Sequence, residues 1–362
     1  MENESSYFEE DWDAMIEPLL YTDMERYVIY CILPIIVIVG IVGNLSTVII
    51  LTTNANMRNS LNIYLTNLAI ADSLFLVVAP VFSWVAISQT PLHVFYDNGG
   101  YSAEYCKFNT LIVDSTYMVS ATLILAISVE RFLAITKPLK YRSYVSKKRT
   151  VKICVAIWIL SFAYQIRNVV TGGTYEYSYP WPDMWNGVPN TSSSCILCSY
   201  DFSDETCKIL YYFNEAEYVL YLTFLTLMIP LYGMIGCSLF KPCSKKTEIA
   251  AAANRTNFER KALTTATITV VIYVILTAPI NCIYMYAFRG GTNWDLISKF
   301  SSVFRYLAFV NSSINPIIYN ISNETYRKAF LKLYGFSSGT APQKANVQNP
   351  SRKYVSTIST KC

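Results

Sequence analysis

The chain has 362 residues, of which 53% are hydrophobic and 15% charged, with a formal net charge of +4. Its apolar residues run in long blocks instead of the short stripes of a soluble core, which excludes a water-soluble domain and points to a membrane protein. His93 is the sole histidine, so histidine-based triads and histidine-cluster metal sites are excluded and no enzyme is expected.

Residues 1–27 carry Glu2, Glu4, Glu9, Glu10, Asp11, Asp13 and Glu17 and lack the basic n-region of a cleavable signal peptide. They are read as an acidic extracellular segment whose charge steers a basic ligand. A spanning helix takes about 20 mostly apolar residues. Seven blocks reach that length: 28–51, 63–88, 108–135, 153–170, 218–240, 262–288 and 296–321. The first, fifth and sixth hold no charged residue, whereas the fourth is short and contains Arg167. The expected fold is an all-α bundle of seven transmembrane helices over residues 28–321.

Between the third and fourth blocks, Lys137, Lys140, Arg142, Lys147, Lys148, Arg149 and Lys152 occur without an acidic residue. By the positive-inside rule that loop is cytoplasmic. Seven crossings then leave the N-terminus outside a multi-pass protein of the plasma membrane. No internal repeat is visible, so a transporter built from inverted repeats is the weaker class. Residues 322–336 alternate apolar and basic side chains at helical spacing and read as an amphipathic helix on the inner leaflet. Residues 337–362 are polar, with Ser351, Ser356, Thr357, Ser359 and Thr360, and read as a disordered cytoplasmic tail.

Cys106, Cys195, Cys198 and Cys207 all fall on the outer side, where disulfides persist. Of the N-x-S/T sequences, only those at Asn3 and Asn190 face the lumen during synthesis, and these two are the expected glycan sites.

Charged and helix-breaking residues at membrane depth are functional signals by default. Asp72 lies in the middle of the second span, where an unpaired carboxylate would cost roughly 2.5–3.5 kcal/mol on insertion scales. Pro279 and Pro316 interrupt the backbone ladders of the sixth and seventh spans and should kink them. Glu130 and Arg131 close the third span, and Glu259 opens the sixth.

Asn44, Leu68-Ala69-Ile70-Ala71-Asp72, Cys106, Glu130-Arg131-Phe132, Trp158, Pro279 and Asn315-Pro316 with Tyr319, in this order and spacing, resemble a rhodopsin-like (class A) G-protein-coupled receptor. A bridge from Cys106 to the loop before the fifth span is expected; Cys195, Cys198 and Cys207 stay open as partners, with Cys198 the pairing adopted. The resemblance implies that Asp72, Ser120, Asn311, Ser312 and Asn315 form a polar cluster that holds an allosteric sodium ion. It also implies a charge lock between Arg131 and Glu259, with Pro279, Pro316 and Tyr319 as moving parts.

Several departures narrow the ligand. The position of an opsin's span-seven lysine holds Phe309, and that of the aminergic aspartate holds Val113, with Asp114 about 100° further around the helix. Thr277 replaces the usual span-six tryptophan and Tyr273 the usual phenylalanine. In span five the register is open: either Pro230 is the family proline, or Tyr232 is the family tyrosine. These features, with Leu160 to Tyr164 and Asn311 to Asn315, are similar to invertebrate neuropeptide receptors of the FMRFamide-receptor-like kind.

In the outer half of the bundle Trp84, Asp114, Gln165, Arg167, Glu215, Glu217, Asn281, Tyr284 and Arg305 are the candidate ligand-binding residues, because aromatic bodies with polar tips anchor peptides well. The expected function is a receptor for an extracellular, short and amidated peptide that activates a heterotrimeric G protein. A non-peptide small molecule is the alternative ligand. Arrestin, receptor kinases and the lipid bilayer are the further expected partners, and nucleic acid is not one.

Overall fold

A computed structural model of the chain describes residues 12–57, 59–92, 102–137, 140–141, 143, 145–197, 205–240, 249–290 and 294–336. Eight helices carry the architecture: α1 Leu33–Thr53, α2 Ser60–Gln89, α3 Ala103–Thr136, α4 Lys147–Gln165, α5 Glu205–Phe240, α6 Ile249–Phe288, α7 Trp294–Ser322 and α8 Glu324–Leu333. α2, α3, α4 and α8 each start on a polar cap. Asn59, Ser102 and Ser146 accept the third backbone N–H of α2, α3 and α4, and Asn323 accepts those of Thr325 and Tyr326 in α8. In hydrocarbon every other backbone group must be satisfied within the helix itself.

The helices close into a ring, with α1 against α2 and α7, α5 against α6, and α6 against α7. α3 runs through the middle and touches α2, α4, α5 and α6. Burial is inverted relative to a soluble protein. Ile35, Ile38, Val42, Leu45 and Ile49 of α1 and Ile159, Leu160, Val271 and Ile275 elsewhere are exposed, whereas Asn44, Asp72, Ser115, Asn168 and Thr277 are fully buried. The bilayer supplies the missing apolar partner for the outer surface.

Among the described residues, six stretches are long and apolar enough to cross a membrane, including Asp23–Thr53, Ala103–Thr136 and Lys147–Val170. α7, the seventh, has the length, with 29 residues, but not the composition. Its polar residues Asn311, Ser312, Ser313 and Asn315 are buried against the other helices, so the polarity that lowers its apolar content faces inward. α6 begins at Ile249, well before the apolar block that starts at 262, and its 40 residues span about 60 Å, twice the hydrocarbon thickness. Hydropathy reads the lipid-facing part of a helix, not the helix.

The first helix has a local defect with a clear cause. Val28–Ile32 is a π turn in which the Leu33 N–H reaches back to the Val28 carbonyl. The wider turn passes the ring of Pro34, which has no N–H to give to the Ile29 carbonyl. That carbonyl instead accepts the indole N–H of Trp84 at 3.0 Å. α1 and α7 approach closely because Gly40 and Gly43 stand between them. A Cβ on Gly40 would lie 2.7 Å from Ser313 Cβ, and one on Gly43 would lie 2.9 Å from Pro316. Asn44 donates across the same seam to the Ser312 carbonyl at 2.8 Å.

Between α4 and α5 the chain forms an antiparallel ribbon of β1 Gly172–Ser178 and β4 Thr191–Leu197, with β2 Met184–Trp185 and β3 Val188–Pro189 as a smaller hairpin at its tip. The tip turns at Asn186-Gly187, both with positive φ, as a two-residue hairpin loop requires. The disulfide joins Cys106, near the start of α3, to Cys195 of β4, with Cα atoms 5.6 Å apart. This corrects the adopted pairing with Cys198. The ribbon lies on the start of α3, where a Cβ on Gly172 would lie 2.6 Å from the Asn168 carbonyl oxygen and 3.0 Å from the Lys107 side chain, and Cys195, paired with Thr174 across the ribbon, meets Cys106. Cys198 falls past the end of β4 and outside the described residues.

The N-terminal segment is seated on this ribbon. Ile16 is buried with Leu92, Trp181 and Val188, and the Asp13 carboxylate accepts from the Trp185 indole at 2.8 Å and from Asn186 at 3.1 Å. The Tyr21 N–H donates to the Pro91 carbonyl, and Leu20 pairs with Leu92.

Candidate functional site

Toward the disulfide end, α3, α4 and α5 share a buried polar network. Arg167 follows α4, in the short helix Arg167–Thr171, and its guanidinium pairs with Glu217 of α5. The same guanidinium donates to Asn214 Oδ1 at 3.0 Å and to the Tyr164 carbonyl at 2.8 Å, and lies 4.2 Å over the Tyr164 ring. The second Glu217 oxygen accepts from Gln165 and from the Tyr221 hydroxyl, each at 2.6 Å. Asn168, fully buried, donates to Asp114 Oδ2 at 2.9 Å and to Gln165 at 3.1 Å. The arrangement follows from helical spacing: Asn214, Glu217 and Tyr221 lie at i, i+3 and i+7 and therefore on one face of α5.

Of the nine candidate ligand-binding residues, Asp114, Gln165, Arg167 and Glu217 are brought together here. Asn281 sits lower, donating to the Tyr117 hydroxyl at 3.2 Å and to the Thr277 carbonyl at 2.8 Å. Tyr284 packs on Tyr218 with ring centroids 5.2 Å apart. Glu215 pairs with the exposed Arg289 at 2.6 Å, outside the network. Trp84 holds the Ile29 carbonyl, and Arg305 is half-buried on α7. Asn168, Asn214, Tyr117 and Tyr221 belong to the site although the sequence reading did not select them. The polar spacing along α5 was the available signal for two of them.

Below this network the Tyr117 ring meets Tyr221 edge-on at 5.0 Å, and Thr277 donates to the Tyr273 carbonyl at 2.7 Å. The span-six positions that depart from the family pattern are thus packed under the polar cluster, with the Tyr273 hydroxyl buried and without a hydrogen-bond partner among the described residues.

In mid-bundle Asp72 is fully buried, and its two oxygens accept from Ser120 at 2.9 Å and from Asn315 at 2.8 Å. Ser312 and Asn311 are buried nearby on α7. These donors are neutral, and no ion pair among the described residues compensates the carboxylate. An oxygen-rich set around one negative charge fits a small hard cation.

At the opposite end Glu130 is buried and accepts from the Tyr141 hydroxyl at 2.8 Å. Burial, followed by the Glu130 carboxylate, pushes the Tyr141 phenol far above its ordinary value, so it stays a donor. Arg131 Nε and the Tyr319 hydroxyl are buried without hydrogen-bond partners among the described residues. Glu259 lies in α6, but its side chain is outside the described set, as are Asn3 and the side chain of Cys207. The Tyr232 hydroxyl lies 3.4 Å from Ser128 while Pro230 is exposed, which supports Tyr232 as the inward tyrosine of α5. Asn190 is half-buried and donates to Asp183 at 3.1 Å. α8 is docked by the Tyr326 hydroxyl on Thr47 at 2.6 Å and by Tyr334 on Ser46 at 2.7 Å.

Comparison with known proteins gives a family model, "7 transmembrane receptor (rhodopsin family)", that matches residues 43–319. The chain is 26% identical to the growth hormone secretagogue receptor type 1 of Mustela putorius furo over 306 residues, 83% of this chain and 78% of that one. It is 25% identical to the neuropeptide CCHamide-1 receptor of Drosophila melanogaster over 338 residues, 88% of this chain and 62% of that one. It is also 26% identical to the melanopsin of Mus musculus over 352 residues, 92% of this chain and 61% of that one.

Proposed function

Because the chain belongs to the rhodopsin family of seven-transmembrane receptors, we propose that it is a plasma-membrane receptor that binds an extracellular peptide and activates a heterotrimeric G protein. The observation that carries the peptide reading is the charged network of half-buried Asp114 with buried Arg167 and Glu217 beneath a disulfide-tethered β-ribbon. Fixed charges and aromatic edges under an extended loop suit a ligand with several polar groups. Two of the relatives are named for a secretagogue and a neuropeptide, which points the same way. The likeness to melanopsin does not extend to light sensing, since the position of an opsin's lysine is Phe309, packed 5.6 Å from Phe75.

The N-terminus and the ribbon face the outside, where Asn3 and Asn190 receive glycans, and the basic loop after α3 faces the cytoplasm. Signalling is a population shift: the ligand binds the active arrangement more tightly than the resting one. Arg131 and Glu259 restrain the resting state, and α6 opens about Pro279 to admit the G protein. Asp72, Ser120, Asn311, Ser312 and Asn315 would hold a sodium ion, which when bound neutralises the buried carboxylate and favours the resting state. α8 lies on the inner leaflet, and the Ser/Thr-rich tail is the substrate of receptor kinases and the docking segment for arrestin.

The test is a neuropeptide library applied to cells that express the chain, with G-protein dissociation read by energy transfer. The expected result is activation by at least one peptide, abolished by Arg131→Ala at equal surface level. Activation by non-peptide metabolites alone would overturn the peptide reading.

A further inference from the structure

Residues 12–21 form a strap with two anchors. Trp12 and Ile16 lie one helical turn apart on the same face, and Ile16 is buried against Leu92, Trp181 and Val188. The 3-10 turn Glu17–Leu19, with Pro18 in it, ends that helical run. Leu20 is extended and faces Leu92 in an antiparallel bridge, and the Tyr21 N–H donates to the Pro91 carbonyl at 3.1 Å. The Tyr21 side chain is buried with Ile29 of the π turn and Ile87 of α2, beside Trp84 of α2 and Tyr306 of α7. One anchor is thus the ribbon, which is tied to α3 through Cys195, and the other is the corner where α1, α2 and α7 meet.

Both anchors are narrow. Asp13, Ala14, Met15, Glu17 and Pro18 are exposed, and the bonds from Trp185 and Asn186 to Asp13 lie at the surface. A cleft of about 340 Å³, bordered by Glu17, Leu20, Trp185 and Val188, opens between the strap and the ribbon tip, so their contact is confined to a few side chains. A segment with few buried apolar contacts and solvent-exposed hydrogen bonds opens locally at far lower cost than the whole fold. The strap also has a hinge. Leu20 and Thr22 are extended, with ψ of 148° and 155°. Thr22 caps the next helix by itself: its hydroxyl accepts the Glu25 N–H while the Glu25 side chain accepts the Thr22 N–H. Rotation at residues 20–22 would leave that cap and α1 in place, as a hinge requires.

We propose that residues 12–21 are a gate over the corner between α1, α2 and α7. Seated, Tyr21 closes the corner to solutes from outside, and Ile87 beneath it is only 7% exposed. Lifted about residues 20–22, the strap uncovers Ile87, Trp84 and Tyr306 and adds the corner to the outer cavity. Contact between a ligand and this corner then requires the lifted state. The inference rests on the proposed orientation, with the N-terminus outside, and not on the chemical nature of the ligand.

The probe is a charged, membrane-impermeant maleimide applied to intact cells that express the full chain with Cys31→Ser and Cys282→Ser. Ile87→Cys supplies the target under Tyr21, and labelling of the same protein with Ile87 retained is subtracted. Adding Ile16→Asp, which frees the outer anchor, should raise the labelling rate of Ile87→Cys at least tenfold. If that variant does not reach the surface, Trp181→Ala, which removes the opposite wall of the same seat, takes its place. The converse arm closes the strap with a disulfide between Leu20→Cys and Leu92→Cys, since opposed residues of an antiparallel pair lie about 4.5–5.5 Å apart at Cα, within reach of the bond. Once its formation is verified by peptide mass, labelling should fall at least tenfold below that of the unlinked protein. Equal rates with and without release show that the strap does not cover the corner and overturn the gate. A rate that the cross-link leaves unchanged, or a cross-link that does not form, overturns it as well. Those failures leave the peptide reading standing, because no ligand enters the assay. Labelling seen only after permeabilisation overturns the orientation and, with it, the gate.

Discussion

Removing the cation from the outer network should damage the protein far more than removing the acid it pairs with. With both acids ionised, Asp114, Glu217 and Arg167 sum to one negative charge. Arg167→Met leaves two carboxylates facing each other with no cation, and also strips Asn214 and the Tyr164 carbonyl of their donor. Breaking a buried pair from one side typically costs about 3–5 kcal/mol, because a charge is left desolvated and unpaired. Glu217→Gln keeps the shape and leaves one carbonyl oxygen for Gln165 and Tyr221. It leaves Arg167 facing Asp114 alone, a neutral set. The loss is then one charge-assisted hydrogen bond, about 1.5–3 kcal/mol, offset by relief of the repulsion between the acids. Arg167→Met should therefore be worse by at least about 1.4 kcal/mol, a factor of ten in the folded population. The double variant Arg167→Met with Glu217→Gln should recover part of the loss, since it removes the stranded charge. Detergent-solubilised receptor, unfolded by heat with a thiol-reactive dye at the buried Cys154 as reporter, gives the ranking. Equal losses in the two single variants, or a double variant worse than Arg167→Met, would refute the charge argument.

Gly40→Ala should force α1 away from α2 and α7, because its Cβ would meet Leu76 Cδ1 at 2.5 Å, Ser313 Cβ at 2.7 Å and the Ser313 backbone at 3.0 Å. An overpacking penalty of about 1–3 kcal/mol is expected, visible as lower thermostability and partly reversed by Ser313→Gly. Ile16→Asp or Trp181→Ala should release the N-terminal segment from the ribbon, seen as faster protease cleavage before residue 22 on intact cells with unchanged bundle stability. Asp72→Asn should abolish the effect of sodium on agonist affinity by reciprocal linkage, and equal sodium sensitivity in both proteins would remove the ion from the account. Tyr141→Phe should raise ligand-independent signalling by freeing Glu130. With the phenol held above its ordinary value, the wild-type contact should not change between about pH 6 and 9, as basal signalling against pH would report.

Fold class and the depth of the mid-bundle polar residues were legible in the amino-acid sequence. A run such as 28–51, with no charge, has one stable home, a helix across a bilayer, because lipid offers its backbone no other partners. Asp72 needed a buried partner for the same reason, the resemblance to rhodopsin-like receptors implied Asn315 among others, and their oxygen and nitrogen lie 2.8 Å apart. Which polar group serves which other is set by the packing of the helices. Trp84 read as a ligand contact until Pro34 left the Ile29 carbonyl without a donor. Three cysteines were equivalent on paper until the β1–β4 register put Cys195 over α3. The acids Asp114, Glu215 and Glu217 were likewise interchangeable, and the distances to Arg167 and Arg289 leave only Asp114 unpaired. Hydropathy and spacing fix a residue's depth and helix face, but pairing depends on how neighbouring helices rotate and approach. Those contacts come from distant parts of the chain and leave no local signature.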